Sequence, residues 1–158
     1  MGQEFAQGAE WSEEHGPEWW LLDDAYHSAG DHRGVRDLVR DLNARYRATD
    51  ALWRRDTDPA GFRWVSVDAA EDNVLAFLRY GSQGRALLSV SNFSPVVRHG
   101  HRLEVPGDVA AWREVLNTDA ARYGGGDVTH PDPVRSEDGG LRITLPPLAT
   151  VWLVPHDR

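Results

Sequence analysis

The sequence contains no cysteine, and all 17 of its basic residues are arginine. The absence of cysteine excludes disulfides, thiol catalysis, zinc-finger sites and iron–sulfur ligation. The absence of lysine excludes Schiff-base chemistry and the lysine of a P-loop. No stretch approaches the roughly 20 apolar residues of a membrane-spanning helix, and no signal peptide opens the chain. We therefore expect no membrane partner and favour a cytoplasmic location.

What is present is typical of a folded domain. Of the 158 residues, 41% are hydrophobic and 9% aromatic, with seven tryptophans, which is too apolar for a disordered chain. The formal net charge of −8 disfavours an extended phosphate-binding surface. We therefore expect no nucleic-acid partner, and we predict no cofactor.

The first thirty residues have no sustained hydrophobic period and contain Trp11, Trp19 and Trp20. This pattern predicts an irregular segment packed by aromatic side chains, which need other groups to cover them. From Asp31 onward, apolar residues recur at helical spacing through residues 35–46. The spacing predicts an amphipathic helix with Asp31 as its N-cap.

Beyond a turn at residues 56–61, short β-rich runs alternate with breakers. They predict seven strands, at residues 62–67, 74–80, 86–93, 102–105, 112–116, 141–145 and 150–154. Seven short strands at this spacing are typical of an antiparallel sandwich. We therefore divide the chain into an irregular and helical part, residues 1–55, and an all-β sandwich, residues 56–158. The connection at residues 123–140 is predicted to be mobile.

Local motifs for catalysis or metal binding are weak. His99 and His101 could belong to a metal site if a third ligand came from elsewhere, but a solvated bend is the simpler interpretation. Asp56 and Asp58 begin like a calcium loop that lacks its glycine and its distal glutamate. We therefore predict no metal site. The 25 acidic residues offer many pairs, but sequence alone cannot bring two carboxylates to the ~5–5.5 Å of retaining glycoside chemistry.

Five blocks of the sequence stand out, at residues 1–11 with 18–22, 38–43 with 46–47, 91–95, 112–119 and 145–153. In this order they resemble 1,4-α-glucan (glycogen) branching enzymes of the α-amylase superfamily, glycoside hydrolase family 13. The resemblance spans nearly the whole chain. It departs in the sandwich, where Val97 replaces a frequent proline, His101 an aromatic residue and Ala120 a serine.

The resemblance implies an architecture. In this family a (β/α)8 barrel carries the chemistry at the C-terminal ends of its strands, and an antiparallel sandwich follows it. The fold would be mainly β: a C-terminal sandwich preceded by the last strand, loop and helix of an incomplete barrel. Residues 1–7 would be the last barrel strand, residues 35–46 the closing helix, and residue 62 onward the sandwich. The apolar stripe of the helix would then pack on strands that this chain does not contain.

The resemblance also implies a reaction. An Asp nucleophile cleaves an α-1,4 bond, a Glu protonates the leaving oxygen, a second Asp helps hold the distorted sugar, and a sugar 6-hydroxyl accepts the glycosyl group. In family order these groups lie before Met1, so no catalytic residue is assigned in this chain. We expect a fragment, from a truncated gene or a misassigned start, that is inactive alone. Its partners would be the missing catalytic barrel and an α-glucan such as glycogen or amylose.

Four residues are candidates for substrate binding by the same resemblance. Glu4 and Phe5 would lie where the last barrel strand reaches the active-site face, and Glu10 and Trp11 in the loop beyond it. There they could shape the region that receives the acceptor sugar. The alternative is structural: Glu4 would anchor the loop and Trp11 would fill the rim of the barrel.

Two other functions stay open. A freestanding carbohydrate-binding module would use Trp11, Trp19, Trp20 or Trp53 as platforms for sugar rings. Another enzyme of the superfamily, such as an α-amylase or a trehalose-forming hydrolase, fits less well with the blocks at residues 92–95 and 145–153. Calorimetry with maltoheptaose would identify a binding module.

Overall fold

The computed structural model describes residues 1–66 and 72–156. These residues form one α-helix, α1 (Ala29–Ala48), followed by eight strands. The strands are β1 (Phe62–Ser66), β2 (Val74–Tyr80), β3 (Ala86–Asn92), β4 (Arg98–Glu104), β5 (Ala111–Asn117), β6 (Val134–Glu137), β7 (Gly140–Leu145) and β8 (Ala149–Pro155). Short 3₁₀ turns lie at Gln3–Phe5, Trp19–Leu22, Asp50–Leu52, Pro59–Gly61, Ser82–Gly84 and Ala121–Tyr123.

The strands pair antiparallel in the order β1-β2-β3-β8-β5-β6-β7-β4 and form two packed layers. β6 joins the layers, because Val134 and Arg135 pair with β5 whereas Ser136 and Glu137 pair with β7. Between the layers lies one core, to which β2, β3 and β8 contribute from one side and β4 and β7 from the other. The predicted antiparallel sandwich is therefore confirmed.

The hydrophobic pattern of two strands explains their positions. β2 has apolar side chains on both of its faces, and it lies between β1 and β3, inside the sheet. In β7 the alternate residues Leu141, Ile143 and Leu145 are at most 1% exposed, while Arg142 points to solvent. Full burial of such a side chain contributes about 1.5–3 kcal/mol. One-sided burial thus fixes the register of β7, since a slip by one residue would bury Arg142.

Two strands differ from the prediction. β6 lies inside the connection that was predicted to be mobile, and its four residues show no alternation of apolar and polar side chains that would reveal a strand. β4 begins at Arg98, earlier than predicted, with an irregular register between Arg98 and His101. His99 and His101 therefore lie in a bulged strand and not in a bend. Residue 67, the predicted end of the first strand, lies outside the described residues.

α1 also begins earlier than predicted. Its N-cap position is Ser28, and the turn before it, in which Ala29 donates to the Tyr26 carbonyl, leads directly into the helix. Asp31 therefore lies in the first turn of the helix, where its carboxylate interacts favourably with the positive end of the helix dipole. The amphipathic helix itself is confirmed.

Residues 1–7 do not form the strand that the resemblance implied. They form a 3₁₀ turn, Gln3–Phe5, flanked by left-handed backbone at Gly2 (φ 81°) and Ala6 (φ 57°). A strand needs a hydrogen-bonded neighbour, and within residues 1–66 and 72–156 no strand pairs with this segment. The segment instead folds against the start of α1.

Candidate functional site

The first 28 residues pack on the N-terminal half of α1 through an aromatic cluster. Phe5 is 1% exposed, and its ring lies against Trp19 with centroids 5.2 Å apart. The carbonyl of Phe5 lies 2.8 Å from Nδ1 of His32 in α1, within hydrogen-bonding distance. Tyr26 joins the two sides, with ring centroids 5.0 Å from Trp20 and 5.7 Å from His32. The aromatic packing predicted for this segment is thus present.

Glu10 and Trp11 lie at the mouth of a cavity of about 310 Å³. Trp11 is 65% exposed, and Glu10 is exposed as well. His15, Glu18 and Trp20 lie on the same cavity wall. An exposed indole beside carboxylates offers what a sugar needs, a flat apolar face for its ring and acceptors for its hydroxyl groups.

Gln7 holds this cavity together. Its Oε1 accepts a hydrogen bond from the backbone N–H of Glu18 at 2.9 Å, and its backbone N–H donates to the Gly2 carbonyl at 3.0 Å. The side chain also passes over Gly2, where an added Cβ would lie 2.4–2.8 Å from Gln7 atoms. Residues 2, 7 and 18 are thereby tied together, and the intervening loop is closed.

The structure brings two of the four predicted residues together. Glu10 and Trp11 share the cavity, whereas Phe5 is buried under Trp19 and Glu4 is exposed away from the cavity lining. His15 and Glu18 are additions that sequence reasoning missed, whereas Trp20 was considered only as a stacking platform of a carbohydrate-binding module. Their meeting depends on the contacts of Gln7 and not on any spacing in the sequence. Among the residues that the structure describes, no group of three or more His, Asp or Glu side chains could hold a metal ion.

The apolar stripe of α1 is incompletely covered. Val35, Leu38, Val39 and Leu42 recur at helical spacing, yet each is only half-buried. The buried residues of the helix are instead Ala29 and Gly34. This stripe, which we call the α1 stripe, is separate from the core of the sandwich, to which α1 contributes no residue.

α1 docks on the sandwich through Tyr123. Gly34 lies so close to the Tyr123 backbone that an added Cβ would be 2.4 Å from its carbonyl oxygen. The Tyr123 hydroxyl donates to Oδ2 of Asp41 at 2.7 Å. That hydrogen bond, with smaller contributions from Arg40 and Arg122, lowers the pKa of Asp41. Burial, and then the hydrogen bond to Asp41, raises the pKa of Tyr123.

A partly buried His–Glu pair in the sandwich, His130 and Glu114, has no free nitrogen for proton transfer. Nδ1 of His130 lies 2.8 Å from Oε2 of Glu114, and its Nε2 accepts the backbone N–H of Thr144 at 3.2 Å. The Thr144 contact requires an unprotonated Nε2, so the proton is on Nδ1. Because both ring nitrogens are engaged, His130 fastens its loop to β5 and β7 and is not arranged as a general base.

Two solved structures share this fold. The catalytic module of the glycogen-degrading pneumococcal virulence factor SpuA aligns with 89% of this chain and 20% of its own length, with a TM-score of 0.57 and 16% sequence identity. The Group B Streptococcus pullulanase SAP aligns with 85% of this chain and 18% of its own length, with a TM-score of 0.57 and 14% identity. These likenesses define the class of fold.

The sequence defines the family. Residues 64–156 match the family described as alpha amylase, C-terminal all-beta domain, and the chain belongs to this family. No described helix of the chain has both the length and the apolar character needed to cross a membrane.

The similarity to branching enzymes extends over nearly the whole chain. It is 76% identical over 99% of its length to 1,4-alpha-glucan branching enzyme GlgB 2 of Streptomyces coelicolor, and 62% identical over 98% to GlgB of Kitasatospora aureofaciens. It is 46% identical over 99% to GlgB of Nitrobacter hamburgensis. The resemblance to branching enzymes is therefore confirmed, and the matched stretch is the C-terminal portion of these relatives. The chain spans about a fifth of their length, 21–22%.

Proposed function

We propose that this chain is the C-terminal support of a 1,4-α-glucan branching enzyme, in which an upstream barrel carries the catalytic carboxylates. The main support for this proposal is the 76% sequence identity, over 99% of the chain, to a stretch that makes up 21% of GlgB 2. The complete enzyme would transfer an α-1,4-glucan segment to a 6-hydroxyl of glycogen or amylose. We also propose a cytoplasmic location, without a nucleic-acid or membrane partner.

The α1 stripe supports a barrel as the missing neighbour. Four apolar side chains at helical spacing, each half-buried, lie on a helix that also packs on the first 28 residues and docks on the sandwich through Gly34 and Asp41. Barrel helices bury one such stripe against the strands. In this proposal residues 1–55 complete the barrel, and residues 56–158 form the supporting sandwich.

The cavity at Glu10 and Trp11 would face the glucan. Trp11 would stack on a sugar ring, and Glu10 would accept hydrogen bonds from its hydroxyl groups. Glu4 and Phe5 would contribute at the same face of the barrel, with Phe5 acting through its packing under Trp19. These four residues bind or position, and none of them carries the bond-breaking step.

The first experiment uses the purified chain alone. Incubated for hours with amylose, it should leave the colour with iodine unchanged, while full-length GlgB 2 of S. coelicolor should lower it. Formation of α-1,6 branches by the isolated chain would mean that catalytic acids lie within its 158 residues, and the proposal would be wrong.

The second experiment tests the supporting role. In a chimera, this chain replaces the matching C-terminal stretch of GlgB 2, and branching activity should be within a few-fold of the parent. A matched chimera with Trp11→Ala should show a raised KM for amylose. A chimera that folds but does not branch glucan would contradict the proposal.

A second candidate function is favoured by exposed tryptophans. Trp11, Trp19, Trp20 and Trp53 are 65%, 59%, 50% and 39% exposed, and a freestanding carbohydrate-binding module would use such rings as stacking platforms. Calorimetry of the chain with maltoheptaose distinguishes the candidates. A module should saturate at millimolar sugar or below and lose binding in Trp11→Ala, whereas a supporting segment should give no saturable heat.

A further inference from the structure

Three arginines lie side by side on the outer face of the second layer. Arg102 of β4 and Arg142 of β7 are direct cross-strand partners. Arg135 of β6 pairs with Ala111 of β5, and its side chain lines the same cavity as Arg102 and Arg142. All three side chains are exposed. We call Arg102, Arg135 and Arg142 the arginine row.

Repulsion between the positive charges of the arginine row is unfavourable for the stability of the sheet. Like charges placed directly opposite on neighbouring strands destabilise a sheet. Within residues 1–66 and 72–156, none of the three guanidinium groups forms an ion pair with a carboxylate. Their recorded hydrogen bonds are to backbone oxygens: Arg102 donates to Asp138 at 3.4 Å and Arg142 to Gly100 at 3.5 Å. An anion bound between them would relieve this repulsion.

The arginine row surrounds a cavity of about 280 Å³. Gly140 lines this cavity without a side chain, and the Arg102 guanidinium occupies the space above it, 3.0 Å from where a Cβ would be. Neighbouring strands are ~4.8 Å apart, so three arginines on adjacent strands can reach one small anion. Planar guanidinium groups bind phosphate oxygens through paired hydrogen bonds.

The surroundings favour a small ligand over a polyanion. Glu104 and Glu137 are the register partners of Gly140 on either side, so a negative row lies directly next to the arginine row. The positive strip is therefore about one residue wide. The chain as a whole carries a net charge of −8, which repels nucleic acid and acidic surfaces.

We propose that the arginine row is a binding site for a small phosphate-bearing ligand, separate from the cavity at Glu10 and Trp11. The three guanidinium groups would hold the phosphate, and Glu137 with the Asp138 segment, which line the same cavity, would accept hydrogen bonds from hydroxyl groups of the ligand. The proposal is independent of branching activity.

The test measures phosphate binding to the purified chain at low ionic strength. Titration with inorganic phosphate and with glucose 6-phosphate should give saturable binding at one site, while glucose alone should give none. Tighter binding of glucose 6-phosphate than of phosphate indicates contacts to the hydroxyl groups, and equal binding indicates a site for the phosphate alone. Both results support a phosphate site.

Variants connect the binding to the arginine row. Arg142→Gln and Arg135→Gln should each weaken binding at least ~10-fold, because each removes a charged donor. Arg113→Gln, an exposed arginine on β5, is the matched control and should leave binding unchanged. Circular dichroism should show all three variants folded, since removing a like charge from the row does not destabilise it.

Three outcomes would overturn the proposal. The first is no binding of either phosphate compound at 10 mM, which is about the weakest affinity a useful metabolite site would have. The second is an equal loss of binding in Arg113→Gln and Arg142→Gln. The third is tighter binding of a single-stranded oligonucleotide or of anionic vesicles than of glucose 6-phosphate, which would make the row part of a surface for polyanions.

Discussion

At the scale of single residues, two buried asparagines lie at the ends of strands and form hydrogen bonds that hold the following loops. Asn92, the last residue of β3, donates from Nδ2 to the carbonyls of Val96 (2.9 Å) and Pro146 (2.8 Å), and its Oδ1 accepts the N–H of Ser94. Asn117, the last residue of β5, uses its amide in a similar way. An amide suits these places because it both donates and accepts. The hydrogen bond to Pro146 thus joins the blocks at residues 91–95 and 145–153 in the structure.

Replacing the amide of Asn92 should reveal its contribution. In Asn92→Asp a carboxylate oxygen would face two carbonyl oxygens, so we expect the free energy of unfolding to fall by about 2–3 kcal/mol. Urea unfolding followed by tryptophan fluorescence measures it. Asn43→Asp, on the exposed face of α1, is the control and should change stability by less than about 0.5 kcal/mol. Equal losses in the two variants would refute the role given to Asn92.

At the scale of elements, the contact between α1 and the sandwich depends on Gly34, which no sequence pattern distinguishes from Gly30. A Cβ at Gly34 would overlap the Tyr123 backbone at 2.4–2.7 Å, whereas Gly30, four residues earlier in the same helix, has open space around it. Gly34→Ala should therefore cost about 1–3 kcal/mol through displacement of the helix. Gly30→Ala should stabilise by about 0.5 kcal/mol through helix propensity. Thermal unfolding of both variants should show the change in stability to be negative for Gly34→Ala and positive for Gly30→Ala. Changes of the same sign in both variants would contradict this packing.

The hydrogen bond between Tyr123 and Asp41 should make the docking of α1 sensitive to acid. Because the folded state lowers the pKa of Asp41, its stabilisation is present above the ordinary value near 3.8 and is lost as the pH falls through the folded-state pKa. Tyr123→Phe removes the donor and should cost about 1.5 kcal/mol at pH 7. Urea unfolding at pH 7 and pH 3 should show this deficit shrinking at the lower pH. A deficit of the same size at both values would mean that the contribution of the Tyr123 hydroxyl does not depend on the charge of Asp41, and no deficit at pH 7 would mean that the ring alone docks the helix.

For the whole molecule, sequence patterns predicted the parts whose burial is periodic. The alternation in residues 141–145 and the double apolar face of residues 74–78 placed β7 and β2 correctly, since each follows from what one layer of a sandwich buries. β6 could not be predicted, because Val134 is its single apolar residue and its sequence has no alternation of apolar and polar side chains. Gln7 links the turn at residues 3–5 to Glu18, since its backbone N–H donates to the Gly2 carbonyl and its side chain accepts from Glu18, and no local sequence pattern predicts such a contact.

The contrast between irregular and periodic parts of the chain also predicts how local stability is distributed along it. Residues 1–28 contain two short 3₁₀ turns and exposed tryptophans, whereas β3 and β8 lie in the middle of the sheet with full ladders of hydrogen bonds. Between these extremes, residues 29–55 dock through Gly34, Asp41 and the buried Ala51. Amide hydrogen exchange should therefore be fastest in residues 1–28, intermediate in residues 29–55 and slowest in β3 and β8.

The chimera with GlgB 2 supplies the control for this exchange pattern. If a barrel covers the α1 stripe and the aromatic cluster of the first 28 residues, their amides should become protected in the chimera, while β3 and β8 stay as slow as in the isolated chain. Protection of residues 1–28 equal to that of β3 already in the isolated chain would show that the segment needs no neighbour. In that case the half-buried stripe would lose its value as support for a barrel, and the exposed tryptophans would favour the carbohydrate-binding module.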